Sequence, residues 1–386
     1  MNPTVYESRA NPVAAAPAPD DSAVFVTRLG SDTLVVERMV RTGTRVEAEV
    51  LMRTPSTTRD RWVMELSPTG QMQRLERMPL DPATGVPRQA EPQQAYERTG
   101  ADSLQARMQT PAGTRTSMVP APAATLPFID MVHWPYEVAL MRARAMSIET
   151  VQQPLLTGSR TSMFAIGRVG GDSMTITHPS RGTMRVRVDA TGRLLGLDAG
   201  ATTRKLVVER RPWMAIDALA RRWSAADAAG RSAGALSGRD TARAIVQGAT
   251  MMVDYGTPWR RGRAIWGALV PYGEVWRTGA NMATHFTTSR PLRLGSGADT
   301  LQVPAGSYTF FSIPQSGGGT FIVSRQTGQT GTAYDPSRDL GRVRMQARPL
   351  PAPVERFTIA IGDDDGSGAI RLQWADAEMV VPFIVR

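Results

Sequence analysis

The stretch Phe357–Trp374, FTIAIGDDDGSGAIRLQW, decides the fold. Phe357, Ile359 and Ile361 alternate with Thr358 and Ala360. Ile370, Leu372 and Trp374 alternate with Arg371 and Gln373. A period of two sends one set of side chains to a buried face and the other to water, as in a half-buried strand. Between the runs lies Asp363–Gly368, DDDGSG, so the whole reads as a β-hairpin. The same hexapeptide opens like a calcium loop, but Trp374 stands where the closing bidentate Glu is needed.

Outward from this hairpin the pattern repeats. Val343, Met345 and Ala347 alternate with polar residues, Met379–Val385 is apolar on both faces like a central strand, and Val303–Gly306, VPAG, reads as a β-turn. Eight or nine short strands without helices predict a β-sandwich, jelly-roll-like, over residues 240–386. Upstream, Ala23–Leu29, Thr33–Met39, Arg45–Met52 and Trp62–Ser67 read as successive antiparallel strands. So do Ser162–Val169, Ser173–His178, Thr183–Val188, Leu194–Asp198 and Lys205–Glu209, while Pro- and Gln-rich Leu80–Gly100 reads as a loop.

Two helices interrupt these strands. One starts at Pro135, a favourable first-turn proline. The other starts at Pro212 and carries Trp213, Ile216, Leu219 or Ala220, and Trp223 on one face. The expectation for residues 22–223 is an antiparallel incomplete barrel with both helices against its concave side, an architecture similar to that of lipoprotein carriers. Small, polar Ser224–Gly238, SAADAAGRSAGALSG, predicts a linker over 224–239, and Met1–Asp21 reads as a disordered tail. The chain of 386 residues is thus expected to be mainly β and two-domain.

The net charge of +10 is carried by Arg, with Lys205 the sole Lys. Residues 241–386 hold 15 Arg against 11 acids, or +4, leaving +6 upstream. The charge is dispersed, as in Met184–Asp189, MRVRVD, where Arg alternates with apolar residues. This predicts solvated strand faces and no nucleic-acid binding. The absence of Cys excludes thiol catalysis, thiolate metal sites and disulfides. No apolar run nears the ~18 residues of a membrane-spanning helix. Met1–Asp21 lacks the apolar core of a signal peptide, yet Ala/Pro-rich Val13–Asp21 resembles the leader of a mature exported protein. A periplasmic or secreted location is the expectation, with a cytoplasmic one as the alternative.

The run Val253–Thr288 reads VDYGTPWRRGRAIWGALVPYGEVWRTGANMATHFTT. Its Gly262, Ile265, Gly267, Leu269–Gly273, Val275–Arg277 and Gly279–Asn281, with the later Pro304–Tyr308, Tyr334–Pro336 and Leu350–Phe357, resemble the bacterial domain-of-unknown-function 2911 family. The resemblance covers residues 240–386. Gln315–Thr320, QSGGGT, departs from it where a Trp is expected. The resemblance implies a β-rich domain and export, but the family has no assigned catalytic residues, so it implies no chemistry.

The same run holds the candidate site. Gly256–Ala283 is a long connection without strand pattern, and loops of that length in compact domains tend to be functional or disordered. Trp259, Trp266, Tyr272 and Trp276 argue against disorder, and Arg260, Arg261, Arg263 and Arg277 lie among them. Trp and Arg together are typical of recognition surfaces. The ligand-binding candidates are Trp259, Arg263, Trp266, Tyr272, Glu274, Trp276, Arg277, Asn281 and His285. Two readings fit. In one, these residues face a small molecule, glycan or partner. In the other, the aromatics plug one end of the sandwich and Arg277 pairs with Glu274 or with loop carbonyls.

A hydrolase would need Glu274 or Asp254 with His285, beside Arg277 and Asn281. His133 and Glu137 have the spacing of a helical metal pair, but Pro135 between them starts the helix, so no metal site is expected. Gly230–Gly234, GRSAG, matches a nucleophile elbow but lies in the linker. No phosphate loop, dinucleotide fingerprint or zinc spacing points to a cofactor. The expectation is therefore an exported binding protein, whose N-terminal domain holds something apolar and whose sandwich recognises its target through the Trp/Arg loop. A hydrolase is the alternative. Oligomeric state is not legible.

Overall fold

The computed structural model describes residues 21–386 apart from 147 and 365. The tail expected over 1–21 lies outside the described residues except for Asp21, which opens the first strand. The chain is mainly β, with two helices and two large sheets, neither closed into a barrel. It divides into two compact units, mainly between Ala229 and Gly230.

The N-terminal unit is one sheet of fifteen strands. They are β1 (Asp21–Leu29), β2 (Asp32–Thr42), β3 (Arg45–Met52), β4 (Thr58–Leu66), β5 (Met72–Leu80), β6 (Gln94–Gly100), β7 (Ser103–Thr110) and β8 (Gly113–Pro120), then β9 (Leu126–Pro127), β10 (Thr150–Thr157), β11 (Arg160–Arg168), β12 (Ser173–His178), β13 (Gly182–Val188), β14 (Leu194–Asp198) and β15 (Val207–Arg211). One meander runs from β8 to β1 and a second from β15 to β9, joined where β1 pairs with β15. All described pairings are antiparallel except β9 with β10. The arms approach without closing. Thr161 Oγ1 donates to the Pro120 carbonyl at 2.7 Å and the Tyr96 hydroxyl to that of Gly158 at 3.1 Å.

The helices α1 (Trp134–Ala145) and α2 (Asp217–Ala228) lie on opposite faces of this sheet. Val24, Val26, Val36 and Leu51 form a core with Ile216, Ala220 and Trp223 at α2. The alternate residues face α1: Thr27 Oγ1 lies 3.1 Å from His133 Nδ1, and the Glu37 carboxylate accepts the backbone N–H groups of His133 at 2.8 Å and Trp134 at 2.9 Å. A period of two cannot send neighbours to the same side, so the expectation of both helices on the concave side is corrected.

Buried carboxylates dock α1 at both ends of its first turn. Glu37 satisfies N-terminal N–H groups that the helix leaves unpaired. Glu137, fully buried, accepts from Arg210 at 2.7 and 2.8 Å and from the Leu194 N–H at 2.8 Å. His133 and Glu137 therefore serve different partners, and no group of metal-ligating side chains occurs among the described residues.

Three boundaries differ from expectation. Helix α2 starts at Asp217, whose carboxylate bonds Arg59 at 2.7 Å, rather than at Pro212. Trp213 stays 54% exposed beneath the Arg38 guanidinium. Ser224–Ala228 continue α2 because an Ala-rich stretch favours helix, and Ser237 already belongs to a strand, so the linker of 224–239 contracts to 229–236. The loop over Leu80–Gly100 yields its end to β6, and β7 and β8 follow it. Only Val119 of β8 is buried, so no apolar alternation announces that edge strand.

The C-terminal unit is a nine-stranded sheet of β16 (Ser237–Val246), β17 (Ala249–Pro258), β18 (Thr284–Thr288), β19 (Leu292–Ser296), β20 (Asp299–Val303), β21 (Gly306–Gln315), β22 (Gly318–Ser324), β23 (Asp339–Asp364) and β24 (Ser367–Val385). The order is β16-β17-β18-β21-β22-β23-β24-β19-β20. The hairpin read from Phe357–Trp374 joins β23 to β24, with Ile359 opposite Leu372 and Ile361 opposite Ile370. Not all strands are short: β23 has 26 residues and β24 has 19. Register shifts between Pro349, Val354 and Thr358 bend this pair. An isolated bridge, Trp259 with Arg356, brings the end of β17 against β23, so one continuous sheet doubles over a single core. Phe286, Phe310 and Phe321 stack through its centre at 4.6 Å spacings.

Candidate functional site

The Trp/Arg connection, residues 259–283, runs from β17 to β18 and is pinned at both ends. Gly256 lies so close to the Ala280 carbonyl that any Cβ would collide with it. Trp276 exchanges two backbone hydrogen bonds with Ser312 of β21, at 2.7 and 2.9 Å. Thr278 and Asn281 have φ of 50° and 63°, flanking Gly279 at 149°. Positive φ is unfavourable for a β-branched residue and persists only where the surroundings over-determine it. Here they do: Thr278 bonds the Ser312 hydroxyl at 2.9 Å, and Thr284 Oγ1 donates to the Thr278 carbonyl at 2.7 Å.

Most of the aromatics turn inward. The Trp276 ring lies 5.8 Å from Trp266, 5.1 Å from Phe357 and 6.1 Å from Trp374. Trp266 Nε1 donates to the Trp374 carbonyl at 3.0 Å. These rings close one end of the core, as the plug reading has it. Trp259 sits in its bridge to Arg356, Tyr272 is 42% exposed, and Glu274 is exposed. Arg263 folds back on the loop, donating to the carbonyls of Arg260 and Trp259, and burial lowers its pKa.

Arg277 differs. Its side chain packs on Gly331, on the opposite side of the extended segment from Trp276. Burial lowers its pKa, although a guanidinium stays charged at any physiological pH. Burial also lowers the pKa of Arg98, Arg142 and Arg263, and each of these donates to backbone carbonyls, Arg98 to that of Met72 at 2.8 Å and Arg142 to that of Ala124 at 2.7 Å. Arg277 donates to nothing among the described residues. Neither Glu274 nor a loop carbonyl takes it.

Beside it, residues 281–283 pair with 329–331: the Gly331 N–H donates to the Asn281 carbonyl at 2.8 Å and the Ala283 N–H to that of Gln329 at 3.2 Å. Asn281 itself is exposed and contributes a weak bond to the Ser237 carbonyl. Gln329 lies two residues before Gly331, so extended backbone carries its side chain to the face on which Arg277 packs. Gln329 Nε2 donates to Thr309 Oγ1 at 3.3 Å, and Thr309 Oγ1 donates to the Gln326 carbonyl at 2.6 Å. A hydroxyl has one proton, so at the 3.1 Å contact between Thr309 Oγ1 and His285 Nδ1 the imidazole must donate, leaving Nε2 as an acceptor. Burial lowers the His285 pKa and favours this neutral form. The Oε1 atoms of Gln326 and Gln329 are buried without a partner. The strip thus offers one unpaired cation and several open acceptors.

The groups a hydrolase would need are only partly assembled. Asp254 stands directly opposite His285 across β17 and β18, but Arg239 engages its carboxylate at 2.7 and 2.8 Å. Glu274 lies opposite Pro314 at the far end of β21, five residues beyond the Thr309 that His285 touches, or about 17 Å at strand rise. Gln326 and Gln329 were not among the candidates. Their one signal is the doubled triplet of Gln326–Gly331, QTGQTG, which reads as turn-forming polar sequence.

Residues 237–383 match the family described as protein of unknown function (DUF2911), and the N-terminal part matches no family. The matched span includes the whole Trp/Arg loop and the Gln326–Gly331 strip. No curated protein is similar to the chain by sequence.

Proposed function

We propose that this protein is a binding protein and that Arg277 anchors its ligand, a small molecule carrying an anionic group and hydrogen-bond donors. One observation carries the reading: a partly buried guanidinium lies beside a strained turn with no carboxylate or carbonyl partner among the described residues. Proteins tend to pair a charge that has lost part of its hydration, because an unpaired one gives up that hydration without return. A ligand anion would supply the missing partner, and its donors would meet the open Gln326, Gln329 and His285 acceptors. The hydrolase reading is weaker because Asp254 is occupied and Glu274 lies far from His285. We place the protein outside the cytoplasm, on the Ala/Pro-rich Val13–Asp21 stretch and the export habit of the resembled family.

The test is native mass spectrometry of protein purified from its own host, comparing wild type with Arg277→Lys and Arg277→Met. The reading expects a retained mass in the wild type, a reduced one in Arg277→Lys and none in Arg277→Met. Equal retention by Arg277→Met would overturn it.

A further inference from the structure

Strand β8 ends the fifteen-stranded sheet, at the opposite end from β9. Two bonds fix the direction of its backbone groups. The Gln109 N–H of β7 donates to the Gln93 carbonyl at 2.9 Å, on the β6 side and so away from β8. Gln109 stands opposite Thr114, so that pair exchanges no bonds between β7 and β8. Bonded and non-bonded pairs alternate along an antiparallel ladder. Thr114, Thr116, Met118 and Pro120 therefore turn their backbone groups outward, off the edge of the sheet. The Pro120 carbonyl bears this out by accepting from Thr161 Oγ1 of β11 at 2.7 Å. Beyond that one contact, the backbone groups of Thr114, Thr116 and Met118 meet no partner among the described residues.

Sheets guard free edges by shortness, bulges, proline or charge. The other edge of this sheet, β9, has two residues, one of them Pro127. Strand β8 has eight, pairs with β7 without a register shift, and carries a single charge, Arg115. Its proline stands at its far end. Thr114 and Thr116 are exposed, and Met118 is 57% exposed.

We propose that β8 pairs with β8 of a second copy of this chain, antiparallel about a two-fold axis at Thr116. Register selects both the occupant and the centre. Centred on Thr116, three pairs can exchange two bonds each: Thr116 with its own copy, and Thr114 with the partner's Met118 on either side. Arg115 then faces the partner's Ser117, and two threonines meet at the axis, a favourable cross-strand pair. Centred on Arg115, only two such pairs remain, and like charges stand directly opposite each other. Centred on Ser117, again only two remain, because Pro120 has no N–H and its carbonyl is taken. The strand is self-complementary in one register, which favours a second copy over a foreign strand.

The test is sedimentation equilibrium on the full chain. A single strand pair is small beside a standard interface, so a dissociation constant on the order of 0.1 mM is expected. Thr116→Pro removes an outward N–H that β7 does not use, and should weaken the dimer by about tenfold or more with the melting temperature little changed. Thr116→Lys leaves the backbone intact and should do the same by opposing like charges across the axis. The chain has no Cys, so Thr116→Cys can form a disulfide only between copies. A bonded antiparallel pair holds its Cα atoms about 5.5 Å apart, within disulfide reach. Thr116→Cys should therefore crosslink about tenfold faster than Thr114→Cys, whose two copies lie four residues out of register, or about 14 Å. A chain still monomeric at about 1 mM, tenfold above the expected constant, would leave the edge to a foreign strand and overturn the proposal. So would a dimer that neither Thr116→Pro nor Thr116→Lys weakens, or equal crosslinking of the two Cys variants.

Discussion

Trp276→Ala tests whether the loop is a structural plug on one side and a binding surface on the other. Truncating a buried aromatic to Ala costs about 3–5 kcal/mol in lost transfer energy and cavity. Trp276 is only partly buried, which lowers the first contribution. Its ring meets Trp266, Phe357 and Trp374, however, and each aromatic pair adds about 0.5–1.5 kcal/mol beyond area. The backbone bonds to Ser312 survive the change. The expected loss is therefore about 3–4 kcal/mol in the C-terminal unit. At roughly 2–4 °C per kcal/mol for a unit of this size, its thermal transition should fall by about 6–16 °C. The assay is urea and thermal unfolding followed by far-UV circular dichroism, since the substitution removes a fluorophore. Arg277→Met, one residue along, should behave oppositely. It removes an unpaired charge and leaves no partner stranded, so stability should stay level or rise by up to about 1 kcal/mol. A loss below about 1 kcal/mol for Trp276→Ala would refute the plug. Equal, large losses for both would refute the idea that Arg277 lacks a partner.

Glu137→Gln should destabilise the N-terminal unit by about 2–3 kcal/mol in calorimetry. That is less than the ~3–5 for a fully stranded buried charge, because Asp21 remains 3.3 Å from Arg210; a loss under about 1 kcal/mol would mean the pair does not dock α1. Stability should also fall on acidification from about pH 6.5 towards pH 5. Desolvation lowers the pKa of both His178 and His285 in the fold. The unfolded chain therefore binds protons there first, below the ordinary histidine value of about 6.5, and stability present above that value is lost beneath it. The lowered carboxylates, such as Asp189 and Asp217, act at lower pH, starting from their ordinary 3.8. Denaturant titrations across that window should flatten in a His178→Gln, His285→Gln double variant, and an unchanged slope would count against the desolvation of both rings.

The sheets were legible because their signal is local. Phe357–Trp374 alternates so regularly that its partners across the hairpin could be read directly, and Met379–Val385 announced a central strand by being apolar on both faces. Elements whose stability comes from elsewhere were not. Strand β8 is nearly all exposed and owes its place to pairing with β7, so it carries no period of its own. The apolar spacing alone starts helix α2 five residues early because Trp213 continues it, yet Trp213 covers Arg38 at the surface instead. The linker sequence reads as loose because Ala, Ser and Gly share a small, polar composition, although the alanines extend a helix and only the glycines break it.

The candidate site divides along the same line. That Trp276 and Arg277 point opposite ways follows from two residues in extended backbone, and needs no tertiary knowledge. Whether a charge is paired is different, because partners in a β-fold come from strands far apart in sequence. Arg210 finds Glu137 and Arg59 finds Asp217, separations of 73 and 158 residues. Before folding, Arg277 and Arg263 were indistinguishable members of one loop. Folding gives Arg263 two carbonyls from its own turn and turns Arg277 away from the loop onto Gly331, where the strained Thr278–Asn281 turn holds it against a strip whose acceptors are also open. A single unpaired group can be slack in a fold. A cation and two buried amide oxygens left open along one strip are better explained as two halves of a contact whose third party is not part of the chain.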